Sequence, residues 1–211
     1  MPRRGYVPLG LVAALGAALV LSQPTARASS LALFWDAAAS APDPALRVHV
    51  VDYAAPDGDE LTHAESEASR LWRAIGVGLT WASGEIPSTT DTHMSRPAGI
   101  DVTLVLLNHD MAQRMIIAEH RSDGVLGRAV PEALRAYVFY DRVKTVGAEL
   151  DVRRGDVLGR VAAHELAHLM LGHTHSHGGL FRAEPNLGSP HEAFDAGDGA
   201  KIRGALARLA R

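Results

Sequence analysis

Residues 157–181 read VLGRVAAHELAHLMLGHTHSHGGLF, and this stretch decides how the rest of the chain is interpreted. Residues 157–171 contain no proline and carry apolar side chains on nearly every face, which predicts a buried α-helix. Asp156 stands before the segment as a predicted N-cap, and Gly172 follows it where helices commonly end. A buried helix that carries two histidines and a glutamate must supply those polar groups with partners.

The spacing within this helix predicts a metal site. His164 and His168 are four residues apart and therefore share one helix face, so both rings can bind one ion at about 2.0–2.1 Å. Glu165 is turned by about 100° around the helix axis, so it can reach a metal-bound water without binding the metal. We predict His164 and His168 as ligands and Glu165 as catalytic base. The alternative is a hydrogen-bonded His/Glu pair inside a core helix.

A catalytic zinc site takes three protein ligands and leaves the fourth position for water. The chain has no cysteine, so the third ligand must be a histidine or a carboxylate. Gly172 allows the chain to turn back, and His173, His175 and His177 follow it. Alternate residues of an extended chain point the same way, so spacing alone does not choose among the three. A solvated histidine tract that binds metals loosely is the alternative.

The rest of the chain predicts an α+β fold, with strands first and a buried helix late. Residues 100–107 form a strongly apolar strand, which predicts a central position in its sheet. Strands are also predicted at residues 46–53, 79–82, 124–130 and 135–140. Helices are predicted at residues 60–75, 110–118, 141–150 and, at the C-terminus, 200–211; residues 83–99 are predicted to be a surface loop.

The first 28 residues have the features of a secretory signal peptide. A basic start at Arg3 and Arg4 precedes an apolar run at residues 7–21, which is shorter than the roughly 20 residues of a membrane-spanning helix. Residues 26–28 read Ala-Arg-Ala, a small-x-small cleavage pattern. We therefore predict a secreted or periplasmic protein without a membrane span, in which residues 29–211 form a single domain.

Charge and cysteine content exclude several classes of function. Cleavage removes three arginines, so the formal charge of −3 becomes about −6, which argues against a nucleic-acid partner. The absence of cysteine excludes a disulfide framework and a cysteine nucleophile. Oligomeric state leaves no trace in the sequence.

The quoted residues resemble the zincin metallopeptidases, and within them the metzincin branch, whose helix continues through a glycine to a third histidine and a methionine-containing turn. More narrowly, they resemble small exported bacterial proteins with a HELGH-type helix. The resemblance covers roughly residues 100–210 and is carried by Leu171-Gly172, His175-Ser176, residues 179–181 and residues 136–143. It implies a zincin-like fold, with a small, mixed, twisted sheet packed on helices. It also implies His175 as third ligand, one catalytic Zn²⁺ and a peptide or protein substrate.

The chain departs from that pattern in three places. The third histidine comes one position later than in the tighter metzincin spacing, Phe181 stands where methionine is expected, and no tyrosine follows Tyr140. An apolar phenylalanine can fill the space beneath the metal that the methionine would occupy. Tyr140, Arg182 and His177 are the candidates to stabilise an oxyanion. Carboxylates that could support the histidine ligands are Glu184, Asp195 and Asp198.

The sequence thus predicts an exported zinc-dependent hydrolase, specifically a metallopeptidase with Glu165 as general base. Residues 124–130 are a candidate edge strand for pairing with an extended peptide, with a plain core strand as the alternative. Two other functions remain open. One is a zincin scaffold that binds zinc but catalyses weakly, and the other is a periplasmic histidine-rich metal-binding protein.

Overall fold

The structure is a computed structural model that describes residues 44–83, 99–119 and 124–211. All of these residues belong to one compact unit, Ala39–Arg211. The predicted signal peptide at residues 1–28 and most of the predicted loop at 83–99 lie outside the described residues. The single domain at residues 29–211 therefore stays a prediction. Within the described ranges, no helix is both long and apolar enough to cross a membrane.

The described residues form five β-strands and five α-helices, which confirms the predicted α+β class. A short 3₁₀ turn, Pro131–Ala133, connects the last two strands. In chain order the elements are β1 (Ala45–Asp52), α1 (Gly58–Ala74), β2 (Gly78–Ser83), β3 (Ile100–Leu107), α2 (His109–Glu119), β4 (Gly127–Val130), β5 (Arg135–Phe139), α3 (Tyr140–Glu149), α4 (Arg154–Leu171) and α5 (Ala196–Leu209).

The strands make one mixed sheet in the order β2-β1-β3-β5-β4. β3 lies in the middle, as its strongly apolar sequence predicts, and pairs in parallel with β1 and β5. β4 pairs antiparallel with β5 and has no other strand beside it among the described residues. The sheet therefore ends on a short antiparallel strand that follows residues 124–126.

α4 lies buried between the sheet and α1, and small residues allow this close packing. A Cβ atom added at Gly159 would lie 2.6 Å from the carbonyl oxygen of Ala64 on α1, and one added at Gly155 would lie 2.9 Å from that of Glu60. Ala68 continues the α1 side of the contact and is fully buried. Because α1 approaches so closely, α4 is held on both sides and its histidines have a fixed direction.

A buried ion pair also fixes α4. Arg160 Nε donates to Glu67 Oε1 on α1 at 2.9 Å, and both side chains are nearly inaccessible to solvent. The same guanidinium donates through Nη1 to the carbonyl oxygen of Leu187. Arg160 thus joins α1, α4 and the segment that leads to α5. The segment that contains Leu187 also forms part of the wall of a cavity that His164 and His168 line.

Three predicted boundaries are wrong. α4 begins at Arg154 after Arg153, and Asp156 lies inside the first turn rather than capping it. An acidic residue is favourable in a first helical turn as well as at the N-cap, because both positions meet the positive end of the helix dipole. α5 begins at Ala196, capped by Asp195, whose side chain accepts from Asp198 N at 2.7 Å. β4 begins at Gly127 rather than at residue 124.

Candidate metal centre

The two histidines of α4 face the same point. His164 and His168 are each 7% exposed, and their Nε2 atoms lie 3.1 Å apart. This follows from helical geometry, since residues four apart stand one above the other on a helix face. Two ligand atoms bound tetrahedrally at about 2.0–2.1 Å from one zinc ion are separated by about 3.3 Å. The observed separation is therefore close to that of a zinc-binding pair.

His175 completes the group. Its Nε2 atom lies 3.2 Å from Nε2 of His168, and the three histidines are the group of metal-ligating type found among the described residues. Of the three histidines that spacing left open, His175 is the one that lies against this pair. His173 lies nearby at the wall of a cavity, whereas His177 is exposed and does not line that cavity.

Backbone carbonyl groups orient both buried rings. His164 Nδ1 donates to the oxygen of Leu180 at 2.7 Å, and His168 Nδ1 donates to the oxygen of Gly172 at 2.6 Å. With each Nδ1 proton used in this way, a neutral ring presents a lone pair at Nε2. Two such lone pairs 3.1 Å apart repel each other unless a cation or proton lies between them. The donor set therefore fits a divalent metal such as zinc.

The groups that orient the rings of His164 and His168 are backbone carbonyls and not the predicted carboxylates. Asp195 caps α5, and Asp198 lies 3.4 Å from Lys201 Nζ. Glu184 is exposed at the cavity wall. Sequence reasoning could not identify the carbonyl groups, because every residue carries one and only the path of the chain decides which of them meets a ring.

Burial keeps the rings neutral. It lowers the pKa of His164 to about 4, and the hydrogen bond to Leu180 only partly opposes this. Burial likewise lowers the pKa of His168 to about 4, and it lowers the pKa of His175 as well. Since a metal binds the unprotonated ring, the lone pairs are available at neutral pH without loss of a proton.

The turn after α4 brings His175 back to the helix. Gly172 has a φ of +75°, a conformation that few other residues adopt, and it sends the chain out of the helix. Gly179 has a φ of +62°, and a Cβ there would lie 2.6 Å from the carbonyl oxygen of Ala193. Ser176 N donates to Phe181 O at 3.0 Å and closes the turn.

Phe181 packs against all three imidazoles. Its ring centroid lies 5.5 Å from that of His164, 4.7 Å from that of His168 and 5.9 Å from that of His175. The side chain is 2% exposed. Phenylalanine therefore occupies the position beneath the three rings for which the resemblance implies methionine.

Glu165 lies beside this group in an open cavity of about 620 Å³. Its side chain is buried, and it shares the cavity wall with His164 and His168. The other walls are the edge strand with the residues before it, and the segment that contains Leu187. A carboxylate, three imidazoles and a strand edge thus meet in one space.

Among the residues that the structure describes, no strand pairs with the outer side of β4, whose backbone groups face that space. Phe139 N donates to Leu126 O at 2.8 Å, so these residues form a hydrogen-bonded pair. In an antiparallel ladder such pairs alternate with pairs whose backbone groups face away from each other. The next pair is Gly127 with Val138, so the N–H and C=O groups of Gly127 face the open edge. Those of Ala129, two residues further, do the same.

The predicted oxyanion candidates lie elsewhere. Tyr140 donates to Glu60 Oε2 at 3.0 Å in the core, and burial, together with this carboxylate, raises the pKa of Tyr140 to about 12. Arg182 donates through Nε to the carbonyl oxygen of Glu184 at 2.7 Å. Neither of these residues lines the cavity, and neither does His177. His173 does line it, although the sequence pattern pointed to this residue only as an alternative ligand.

No protein-family model matches the chain, and no curated protein matches it by sequence. Among solved structures, it is similar to archaemetzincin from Methanopyrus kandleri, with a TM-score of 0.49, 15% identity, and coverage of 77% of this chain and 96% of that one. It is also similar to a zinc-dependent peptidase from Methanocorpusculum labreanum, with a TM-score of 0.42, 13% identity, and coverage of 75% and 99%. The narrower resemblance to small exported bacterial proteins stays a prediction.

Proposed function

We propose that this chain is a zinc-dependent peptidase in which His164, His168 and His175 hold one Zn²⁺ and Glu165 is the general base. The observation that carries the proposal is the convergence of three Nε2 atoms within 4.8 Å of one another, next to a buried carboxylate in an open cavity. A structural histidine cluster would need neither the adjacent carboxylate nor access from solvent. A catalytic site needs both.

When bound, zinc supplies a Lewis acid and lowers the pKa of a coordinated water. Glu165 accepts a proton from the attacking water as its oxygen forms a bond with the peptide carbonyl carbon. Glu165 then donates this proton to the amide nitrogen as the C–N bond breaks. One water is consumed, and the products are a new carboxyl terminus and a new amino terminus.

The substrate is a peptide in extended conformation. The outward N–H and C=O groups of Gly127 and Ala129 offer it backbone hydrogen bonds, in the manner of an added strand. These bonds do not depend on the side chains of the substrate. They orient the peptide along the wall of the cavity formed by the edge strand, which Glu165 adjoins.

The mature chain acts outside the cytoplasm as a single domain of residues 29–211. Support comes from the basic start, the apolar run and the small-x-small pattern of the first 28 residues. Mass determination of the N-terminus of the protein after export tests this point directly. A chain that retains residues 1–28 contradicts it.

The test of function compares the wild-type protein with Glu165→Gln, with Glu149→Gln as an exposed carboxylate control outside the cavity. Zinc content and hydrolysis of a mixed peptide library are measured for all three. We expect one zinc per chain throughout, and loss of about 10²–10⁴-fold in kcat/KM for Glu165→Gln alone. Equal activity in Glu165→Gln and wild type would remove Glu165 as base. One tightly bound zinc without any hydrolysis would favour the metal-binding alternative.

A further inference from the structure

We infer that Gly127 is a positioning residue for Glu165: because it lacks a side chain, the edge strand can lie directly against the carboxylate that handles the proton. This inference rests on the proposed function, since it concerns the same site. Gly127 lies neither between His164 and His168 on α4 nor in the turn that carries His175. It also specifies where along the strand the reaction takes place.

The contact between the two residues is closer than any other residue type would allow. A Cβ atom added at Gly127 would lie 2.6 Å from Cγ and 2.7 Å from Oε1 of Glu165. Real Cβ atoms do not approach other heavy atoms so closely. The Glu165 side chain therefore occupies the space that a side chain at position 127 would need. The carboxylate and the strand backbone lie in direct contact.

The backbone on the other side prevents a simple retreat. The same Cβ would lie 2.7 Å from the carbonyl oxygen of Tyr137 on β5, which is a backbone atom within the sheet. A side chain at Gly127 would therefore have to displace Glu165, β4 or both. Glu165 is the end of a flexible side chain, whereas the Tyr137 oxygen belongs to a paired strand. Movement of Glu165 relieves only the contact with the carboxylate, so β4 must also shift away from the Tyr137 oxygen, and both changes separate the base from the strand.

This contact links substrate binding to proton transfer. Gly127 directs its N–H and C=O groups to the open edge, where the peptide pairs, and its backbone lies against the side chain of the base. A peptide held by these groups therefore lies beside the carboxylate at Gly127 and not one pair further, at Ala129. Gly127 fixes which peptide bond faces Glu165. Its role is to position the base relative to the substrate, without itself taking part in the chemistry.

The kinetic test compares Gly127→Ala with Gly78→Ala. Gly78 lies on β2, the opposite edge strand, where an added Cβ would meet only Ala45 Cβ at 3.9 Å, an ordinary contact. Zinc content, kcat and KM are measured on one cleaved peptide. We expect Gly127→Ala to keep its zinc and to lose about 10²-fold in kcat, because the base is displaced. KM should rise by a smaller factor, because the shift of β4 away from the Tyr137 oxygen also disturbs peptide pairing. An unchanged kcat, or a loss confined to KM, would overturn the inference.

An unfolding test decides the contact even if Gly127→Ala folds poorly. Thermal midpoints are measured for wild type, Gly127→Ala, Glu165→Ala and the double variant, all loaded with zinc. If Glu165 fills the space beside Gly127, adding the Cβ costs less once Glu165 is truncated, so the effects are not additive. An equal fall in midpoint in both backgrounds would overturn the inference. If wild type cleaves no peptide, the proposed function fails, while these four proteins still report whether the two residues are coupled.

Discussion

The Nδ1 atom of His164 lies 2.7 Å from the carbonyl oxygen of Leu180, sixteen residues further along the chain. This hydrogen bond fixes the ring orientation and leaves the Nε2 lone pair facing His168 and His175. It also attaches the turn that carries His175 to the buried helix α4. This one hydrogen bond therefore determines which ring nitrogen of His164 carries the proton and also helps to place His175.

This coupling predicts that Gly179→Ala weakens zinc binding from a distance. Gly179 has a φ of +62°, and an added Cβ would lie 2.6 Å from Ala193 O, so the turn must shift and carry Leu180 with it. We expect about 10–100-fold weaker zinc binding, as for the loss of other groups that orient histidine ligands. Competition with a chromophoric chelator measures this.

Gly178→Ala is the matched control, since an added Cβ there meets no heavy atom within 4 Å. Its zinc affinity should stay within about twofold of wild type, as for a surface substitution. Equal losses in Gly178→Ala and Gly179→Ala would mean that the turn is sensitive to any change and that Leu180 has no special role.

The features that sequence predicted correctly depend on local geometry. The four-residue spacing of His164 and His168 can only produce facing rings once the segment is helical, and its apolar composition predicted both the helix and its burial. The strand at Ile100–Leu107 was likewise predicted as central, because only a strand covered on both faces tolerates such a sequence. Each of these conclusions needs only a few neighbouring residues.

The features that sequence missed depend on contacts between distant segments. Nothing in residues 124–130 indicates that Gly127 lies against Glu165, because that contact depends on how the sheet packs on α4. Glycine has a low intrinsic helix propensity, yet Gly155 and Gly159 lie in α4 where α1 packs against it. The sequence also could not show that the carbonyl oxygens of Gly172 and Leu180 accept hydrogen bonds from the histidine rings, because every residue carries a carbonyl group.

We predict that Phe181 supports the histidine rings by packing alone. Methionine at this position should therefore preserve stability, whereas alanine should not. Phe181→Ala leaves a hole beneath three imidazole rings whose centroids lie 4.7–5.9 Å away, and we expect unfolding to become easier by about 3–5 kcal/mol. Phe181→Met keeps most of the volume and should cost under about 1.5 kcal/mol.

Chemical denaturation of the zinc-loaded proteins measures both variants, and chelator competition shows whether the site is retained. Zinc affinity should decrease from wild type to Phe181→Met and further to Phe181→Ala. If the alanine variant binds zinc as tightly as wild type, the ring does not support the histidines.

Gly159→Ala is predicted to destabilise the protein, although alanine is the better helix former by about 1 kcal/mol. The added Cβ would lie 2.6 Å from Ala64 O and 2.8 Å from Glu67 Cβ, so α1 must move away from α4. Overpacking of this kind costs about 1–3 kcal/mol or more. Gly204→Ala on α5 is the control, because its Cβ would meet only Arg208 Nη1 at 3.6 Å.

We expect opposite signs for the two glycine replacements in urea unfolding, with Gly159→Ala less stable and Gly204→Ala equal to or more stable than wild type. A stabilised Gly159→Ala would show that α1 and α4 are not in close contact in solution.

The metal-free protein is predicted to lose stability as the pH falls. Burial lowers the pKa of His164 and of His168 to about 4 in the folded state, against 6.5 as the ordinary value. Between these values the unfolded chain binds more protons than the folded one, so acid favours unfolding. The free energy of unfolding is therefore unaffected by these two rings above about pH 6.5, and it falls progressively as the pH decreases toward 4. The loss reaches up to roughly 3 kcal/mol per ring.

Urea unfolding of chelator-treated protein at several pH values between 7.5 and 4.5 measures this loss. Other groups also titrate in this window, so the comparison is with His164→Gln, which removes one buried ring, and with His177→Gln, which removes an exposed one. We expect His164→Gln to show a weaker pH dependence than wild type and His177→Gln, because it lacks one of the two rings whose pKa burial lowers to about 4. If all three proteins share one pH dependence, His164 is already accessible to protons in the metal-free protein. The burial that holds it neutral would then require bound zinc.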